Sequence, residues 1–213
     1  MRNPLSNVAH GSDVVASVLH EIAHEGRTDK AFIKGHPGKG LSTMKFGMPR
    51  LLGRAEAIGL NSEGQDRAAN IATEQFTKGS ALCESPIERG MLAGLLTGDW
   101  GDIGALPPLV HDASRGSKEP LPQAPVVIVP QMAFVHFRLD FAIVVVKDRR
   151  LQVIGLECDG KEFHQDAVKE STRVAYLNSW NIPVFKFSGS QIYDDPINAA
   201  DTVITGIHGW WAS

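Results

Sequence analysis

From Val126 to Cys158 the chain is written in the alternating code of β-strands, and this run limits the fold more than any other feature. Three apolar-rich stretches follow one another: VVIVP, FVHFRLDFAIVVV and LQVIGLEC, the last two joined by the polar turn KDRR. Period-2 patterning of this length predicts a meander in which the second and third strands are long and paired. HQDAVKESTRVAYLNSWN then reads as a helix of about four turns, PVFKF as a short buried strand, and the segment after Pro196 as a last helix. Ahead of the strands, SPIERGMLAGLLTG opens as a helix should, with Ser85 as cap, Pro86 in the first helical position and Glu88 three residues after the cap. Helix, three strands, helix, strand, helix is the order of an α/β sheet with helices packed on it.

The first 80 residues carry a different pattern. DVVASVLHEIAHE, 13–25, predicts an amphipathic helix stopped by Gly26. The Gly- and Pro-rich stretch GRTDKAFIKGHPGKGLSTMKFGMPR predicts a loop or extended arm. From about Arg50 to Thr77 two helical pieces are expected, with a break near Gly59 to Gly64. The expected organisation is thus a mostly helical N-terminal extension with a basic Gly-rich arm over 1–80, followed by an α/β domain over 81–213. Between Gly98 and Val126 the many Gly and Pro residues predict a long surface excursion holding at most a short strand. FAIVVV, the longest strongly apolar run, is too short to cross a bilayer, and the expected location is the cytoplasm. Two cysteines, Cys83 and Cys158, make neither a disulfide framework nor a zinc motif and are expected to be reduced.

Chemistry concentrates at the ends of the long strands. Side chains alternate across a strand, so Glu157 and Asp159 share a face. Asp140 lies inside the apolar run RLDFAIVVV, where an uncompensated buried carboxylate would cost several kcal/mol. A hard divalent cation such as Mg²⁺ compensates carboxylates of this kind and leaves positions for water and phosphate. Singly, each acid is better read as a strand-end charge, with Asp140 paired to Arg138 or Lys161. Together with Gly160 and His164 they make a cation-binding constellation.

The series Glu157, Asp159, Gly160 and His164, in the form E-x-D-G-x-x-x-H, resembles endonucleases related to very-short-patch repair enzymes, a branch of the PD-(D/E)XK nuclease superfamily. SPIERGML is similar to the opening helix of that family, PQMAFVHFRLDFAI to its metal-binding hairpin, and RVAYLNSWNIPVFKFSGSQIYDDP to its later helix, strand and turn. The resemblance covers about residues 82 to 205 and leaves the first 80 unmatched. It implies a restriction-endonuclease-like core, a mixed sheet flanked by helices, and Mg²⁺-dependent hydrolysis of DNA phosphodiesters giving 5′-phosphate and 3′-hydroxyl ends, with Mn²⁺ as substitute metal. It implies Asp140 and Glu157 as metal ligands, with the backbone carbonyl of Cys158 as a third donor. Glu88 is open to two readings, a further site acid or the carboxylate of a capping box. Where the superfamily carries a lysine this chain has Asp159, which either binds metal or orients His164 for proton transfer. Lys161 is either the substitute cation or an ordinary surface lysine. Gln131, Arg173 and Lys186 are candidates for phosphate contact, although helix pairing is the preferred reading of Arg173.

Charge bears on the partner. Between Gly26 and Ala55 seven basic residues stand against Asp29, a local balance of +6 in a chain of net charge −3. Lys34, Lys39 and Lys45 in that stretch are the expected nucleic-acid contacts, with DNA as the expected partner and RNA left open. A double-strand cut by one active site per chain implies a homodimer. Two competing functions come from the same sequence. HEIAH, with His20, Glu21 and His24, fits the H-E-x-x-H of zinc metallopeptidases, but Lys30 stands where a third ligand would follow six residues after His24. A non-cleaving nucleic-acid-binding module is the other.

Overall fold

The computed structural model describes residues 38–113, 120–133, 137–159 and 167–212. Its architecture is α/β: a five-stranded mixed sheet with helices packed on it. The strands are β1 (Leu109–Val110), β2 (Val126–Ala133), β3 (Arg138–Lys147), β4 (Arg150–Asp159) and β5 (Val184–Ser188), and they lie in that order across the sheet. β2, β3 and β4 form an antiparallel meander, and β1 and β5 add to its two edges in parallel. The meander agrees with the sequence patterning, and PVFKF forms a short strand as expected, but the expectation that it is buried is corrected: at the sheet edge β5 is half-buried to exposed along its length. The expected helix over 13–25 lies outside the described residues, as do His20, Glu21, His24, Lys34, Lys161 and His164.

Six helices are described: α1 (Gly38–Ala57), α2 (Ser62–Ser80), α3 (Pro86–Thr97), α4 (Ala167–Ser179), α5 (Gly189–Asp194) and α6 (Pro196–Ala212). α3 starts as its sequence demands, with the Ser85 hydroxyl accepting from the Glu88 N–H and Pro86 in the first turn. Every residue from Glu88 to Thr97 is buried, which makes α3 the central helix. One cluster of buried side chains joins Met44, Met48 and Leu51 of α1, Phe76 of α2, Leu92 and Leu96 of α3, Phe141, Ile143, Ile154 and Leu156 of the sheet, and Val203 and Ile204 of α6. Residues 38–80 therefore share their core with the sheet. On the opposite face α4 contributes Leu177, packed with Ile182 and Leu139. Among the described residues no helix is long and apolar enough to cross a membrane.

The expectation of a loop or extended arm is corrected from Gly38 onward, where α1 begins and runs for 20 residues. Two of its glycines, Gly40 and Gly47, mark close packing rather than turns. A Cβ on Gly47 would lie 2.1 Å from Thr97 Oγ1 and 2.7 Å from Thr97 Cβ, inside any tolerable contact, so only glycine lets α1 approach α3 this closely. Gly47→Ala is expected to destabilise the fold by about 2 kcal/mol, as overpacking does, offset in small part by the better helix propensity of alanine. Denaturant unfolding of the two proteins measures it, and an unchanged midpoint would show that α1 shifts without cost.

Candidate metal and phosphate site

Two adjacent strands lose their alternation at the same level. Val127 and Val129 of β2 share a cluster with Met132, which strict alternation would place on the other face. In β3, Phe141 belongs to the main core while Leu139 packs with Leu177 and Ile182 of the opposite side. The pairs Pro130–Phe141 and Met132–Leu139 bracket the switch, so Gln131 and Asp140 are the residues at which it occurs. Gln131 has a backbone φ of 53°, a left-handed conformation unusual for a residue with a side chain. The β3–β4 pairing also stops there, at Phe141–Leu156, and frees the carboxylate of Asp140 to accept from the Cys158 N–H at 2.6 Å.

Glu88 reaches the same place from the first turn of α3. Its Oε2 accepts from the Glu84 N–H at 2.9 Å and from Gln131 Nε2 at 2.6 Å. The two readings of Glu88 thus hold together in part: Ser85 caps the helix as a capping box requires, while the Glu88 carboxylate bonds one residue further back and also engages the strand. Burial pushes the Glu88 carboxyl above its ordinary range, and Asp140 and Glu84 push in the same direction, against the lowering influence of Ser85 and of the Glu84 N–H. Cys83 feels the same surroundings: burial first, then Glu88, raises its thiol.

The raised carboxyl carries a prediction. In the unfolded chain Glu88 titrates near about 4.3. Between that pH and its higher folded value the native state binds more protons than the unfolded state, so stability falls as pH rises through the window and is level above it. Glu88→Gln keeps an oxygen for both N–H donors and removes the titration. Its melting temperature is expected to match wild type near pH 4 and to exceed it by a margin that grows on going to neutral pH. A constant difference across that range would contradict the assignment.

Glu157, 3% exposed, stands at the end of β4. Its two carboxylate oxygens meet the guanidinium of Arg173 from α4, Nη1 to Oε1 and Nη2 to Oε2, the latter at 2.6 Å. Lys186, its register partner on β5, places Nζ 3.7 Å from Oε2. The preferred reading of Arg173 as a surface or helix-pairing group is therefore corrected: its guanidinium forks onto the carboxylate of Glu157. Burial lowers the pKa of Arg173 and the neighbouring Asp140 raises it. The sequence signal was present. Arg173 precedes the buried Leu177 by one helical turn, so it lies on the stripe of α4 that faces the sheet.

The structure thus gathers Glu88, Gln131, Asp140, Glu157, Arg173 and Lys186 about one end of the sheet. Of the other expected residues, Cys158 contributes its N–H to Asp140. Asp159 continues β4 opposite Ser188, and its side chain is outside the described residues. Gln131 contacts Glu88 directly. Lys39 lies with its Nζ 4.7 Å above the ring of Tyr193, and Lys45 is exposed on α1. Among the described residues, no three His, Cys, Asp or Glu side chains stand close enough to hold a metal ion. One observation nevertheless fits a hard cation: Gln131 Oε1 is buried without a hydrogen-bond partner beside two carboxylates that raise each other's cost. Compared with family models, curated proteins and solved structures, the chain matches none.

Proposed function

We propose that this chain is a metal-dependent endonuclease that hydrolyses phosphodiester bonds of DNA in the cytoplasm, on a restriction-endonuclease-like core that uses Mg²⁺ or, in its place, Mn²⁺. The observation that carries the reading is the buried, unpartnered Oε1 of Gln131 beside Glu88 and opposite Asp140 at the break in the sheet, with Arg173 and Lys186 at the neighbouring strand ends as cations for a phosphate. Asp140 would hold the metal with Glu88 and the oxygen of Gln131, and Glu157 would join them where the cation displaces Arg173 from its oxygens. When bound, the cation supplies Lewis acidity toward the phosphodiester. The chain's own groups do the remaining work. The Cys158 N–H fixes the orientation of Asp140, and Lys186 and Arg173 offer positive charge to the phosphate. Asp159, His164 and Lys161 keep their expected roles in proton transfer and charge balance within this proposal, and a double-strand cut would take two copies of the chain.

A second reading, a module that grips nucleic acid without cutting it, is favoured by one feature: Arg173 takes both oxygens of Glu157. Incubation of the full chain with plasmid and with single-stranded DNA in Mg²⁺ or Mn²⁺, against an EDTA control, separates the two. Cation-dependent cleavage is expected. Tight binding without cleavage would select the module, and neither binding nor cleavage would remove both.

A further inference from the structure

The large apolar residues of α1 point inward almost without exception: Met44, Met48 and Leu51 are buried, and Leu41 and Leu52 pack on the same core. Phe46 departs from this rule. It is 72% exposed, more than any other large apolar side chain described. A ring left in water gives up the stabilisation that burial would bring, so its place on an otherwise well-sorted helix calls for a ligand with a flat apolar face.

Its neighbours indicate which. With 3.6 residues per turn, Lys39, Phe46 and Arg50 fall on one stripe of α1, opposite the side that buries Met44 and Met48. Lys45, about 100° round the helix from Phe46, is exposed as well. From Gly38 to Ala55 the helix has Lys39, Lys45, Arg50 and Arg54 and no acid. Arg50 is held by Asp201 at 2.7 Å and Arg54 by Asp99 at 2.8 Å, so the two lysines carry the outward charge. At its N-terminal end the stripe lies toward the end of the sheet that carries the candidate site: Lys39 stands over the ring of Tyr193, which is 43% exposed and follows by five residues Ser188, the register partner of Asp159. Phe46 is two turns further on, about 10 Å along the axis.

We propose that this stripe is a platform for single-stranded nucleic acid leaving the site, with a base stacked on Phe46 and the backbone steered by Lys39 and Lys45. The proposal rests on the nuclease reading given above and says which form of the polymer the site meets. A single strand is the matching occupant because its bases have free π-faces, whereas those of a duplex are covered by their neighbours. A single exposed ring on a helix that carries basic side chains suits a stacked base better than a protein interface.

The test is fluorescence anisotropy of the full chain with a labelled oligothymidylate and with a duplex of equal length, in Ca²⁺ to hold off cleavage. Phe46→Ala is expected to weaken single-strand binding about tenfold and leave duplex binding unchanged, while Phe46→Trp restores affinity and shows quenched tryptophan emission on binding. Lys39→Ala and Lys45→Ala should each flatten the dependence of affinity on salt, by about 0.7 in the logarithmic slope. Circular dichroism verifies that the variants are folded. Unaltered single-strand affinity in Phe46→Ala, an equal loss on duplex, or a change of oligomeric state that marks the ring as a protein contact would each overturn the platform. If folded wild type binds neither polymer, the nuclease reading falls and takes the platform with it. If wild type cuts DNA and Phe46→Ala binds as wild type does, the platform alone is lost.

Discussion

Asp140→Asn is expected to reduce cation-dependent cleavage by on the order of a thousandfold while leaving the melting temperature within about a degree of wild type. The two halves of this result have separate causes. Asparagine keeps an oxygen at the position that accepts the Cys158 N–H at 2.6 Å, so the end of β4 stays anchored where its ladder to β3 has already stopped. What it removes is one negative charge, and with it a ligand for the cation and the field that the metal would neutralise. Asp140→Ala removes both. The Cys158 N–H would lose its partner in a partly buried place, at a cost of about 1–3 kcal/mol, so this variant should be inactive and also less stable. The pair also reports on Glu88, whose carboxyl Asp140 helps to raise. In Asp140→Asn the pH-dependent loss of stability due to Glu88 should shift to lower pH. Cleavage that survives in Asp140→Asn with less than a tenfold loss would remove Asp140 from the metal site. Activity is measured as the initial rate of plasmid nicking and stability by differential scanning fluorimetry.

The parts of this fold that were readable in the sequence are those whose information is local. Ser85, Pro86 and Glu88 specify the start of α3 because a cap is a contact over three residues, and the meander is visible because apolar alternation needs no partner to be recognised. α1 was hidden for the opposite reason. Gly47 reads as a breaker when the chain is taken alone, and becomes a packing residue only when Thr97, 50 positions later, is set against it. The site divides along the same line. Asp140 and Glu157 stand out as acids in apolar strands. The fork of Arg173 on Glu157, however, joins a strand end to the helix that follows: helical spacing puts Arg173 on the inward stripe but does not name its partner. RLDFA shows the limit most clearly. Alternation assigns Leu139 and Phe141 to one face, yet they belong to different cores, because the left-handed turn at Gln131 in the neighbouring strand lies opposite Asp140. A break that depends on two strands at once leaves no mark in either one.

Arg173→Met should have the largest effect on stability of any substitution at the site. The Glu157 side chain is 5% exposed and both its oxygens are engaged by the guanidinium. Removing the cation leaves a buried carboxylate, and for such pairs the loss is about 3–5 kcal/mol. Lys186 stays within 3.7 Å and shares the charge, which places the expectation near about 3 kcal/mol, or roughly 10 °C in melting temperature for a chain of this size. Glu157→Gln in the same background should recover most of that loss, because the uncompensated charge is then gone. The informative measurement adds Mg²⁺. In wild type a cation must compete with the guanidinium for Glu157, whereas in Arg173→Met the carboxylate is vacant and any metal it binds stabilises the folded state by mass action. The Mg²⁺-dependent rise in melting temperature should therefore be larger in Arg173→Met than in wild type and should disappear in the double variant. Equal rises in all three proteins would mean that Glu157 serves only to hold α4 against the sheet, and that any metal is bound by Glu88 and Asp140 without it.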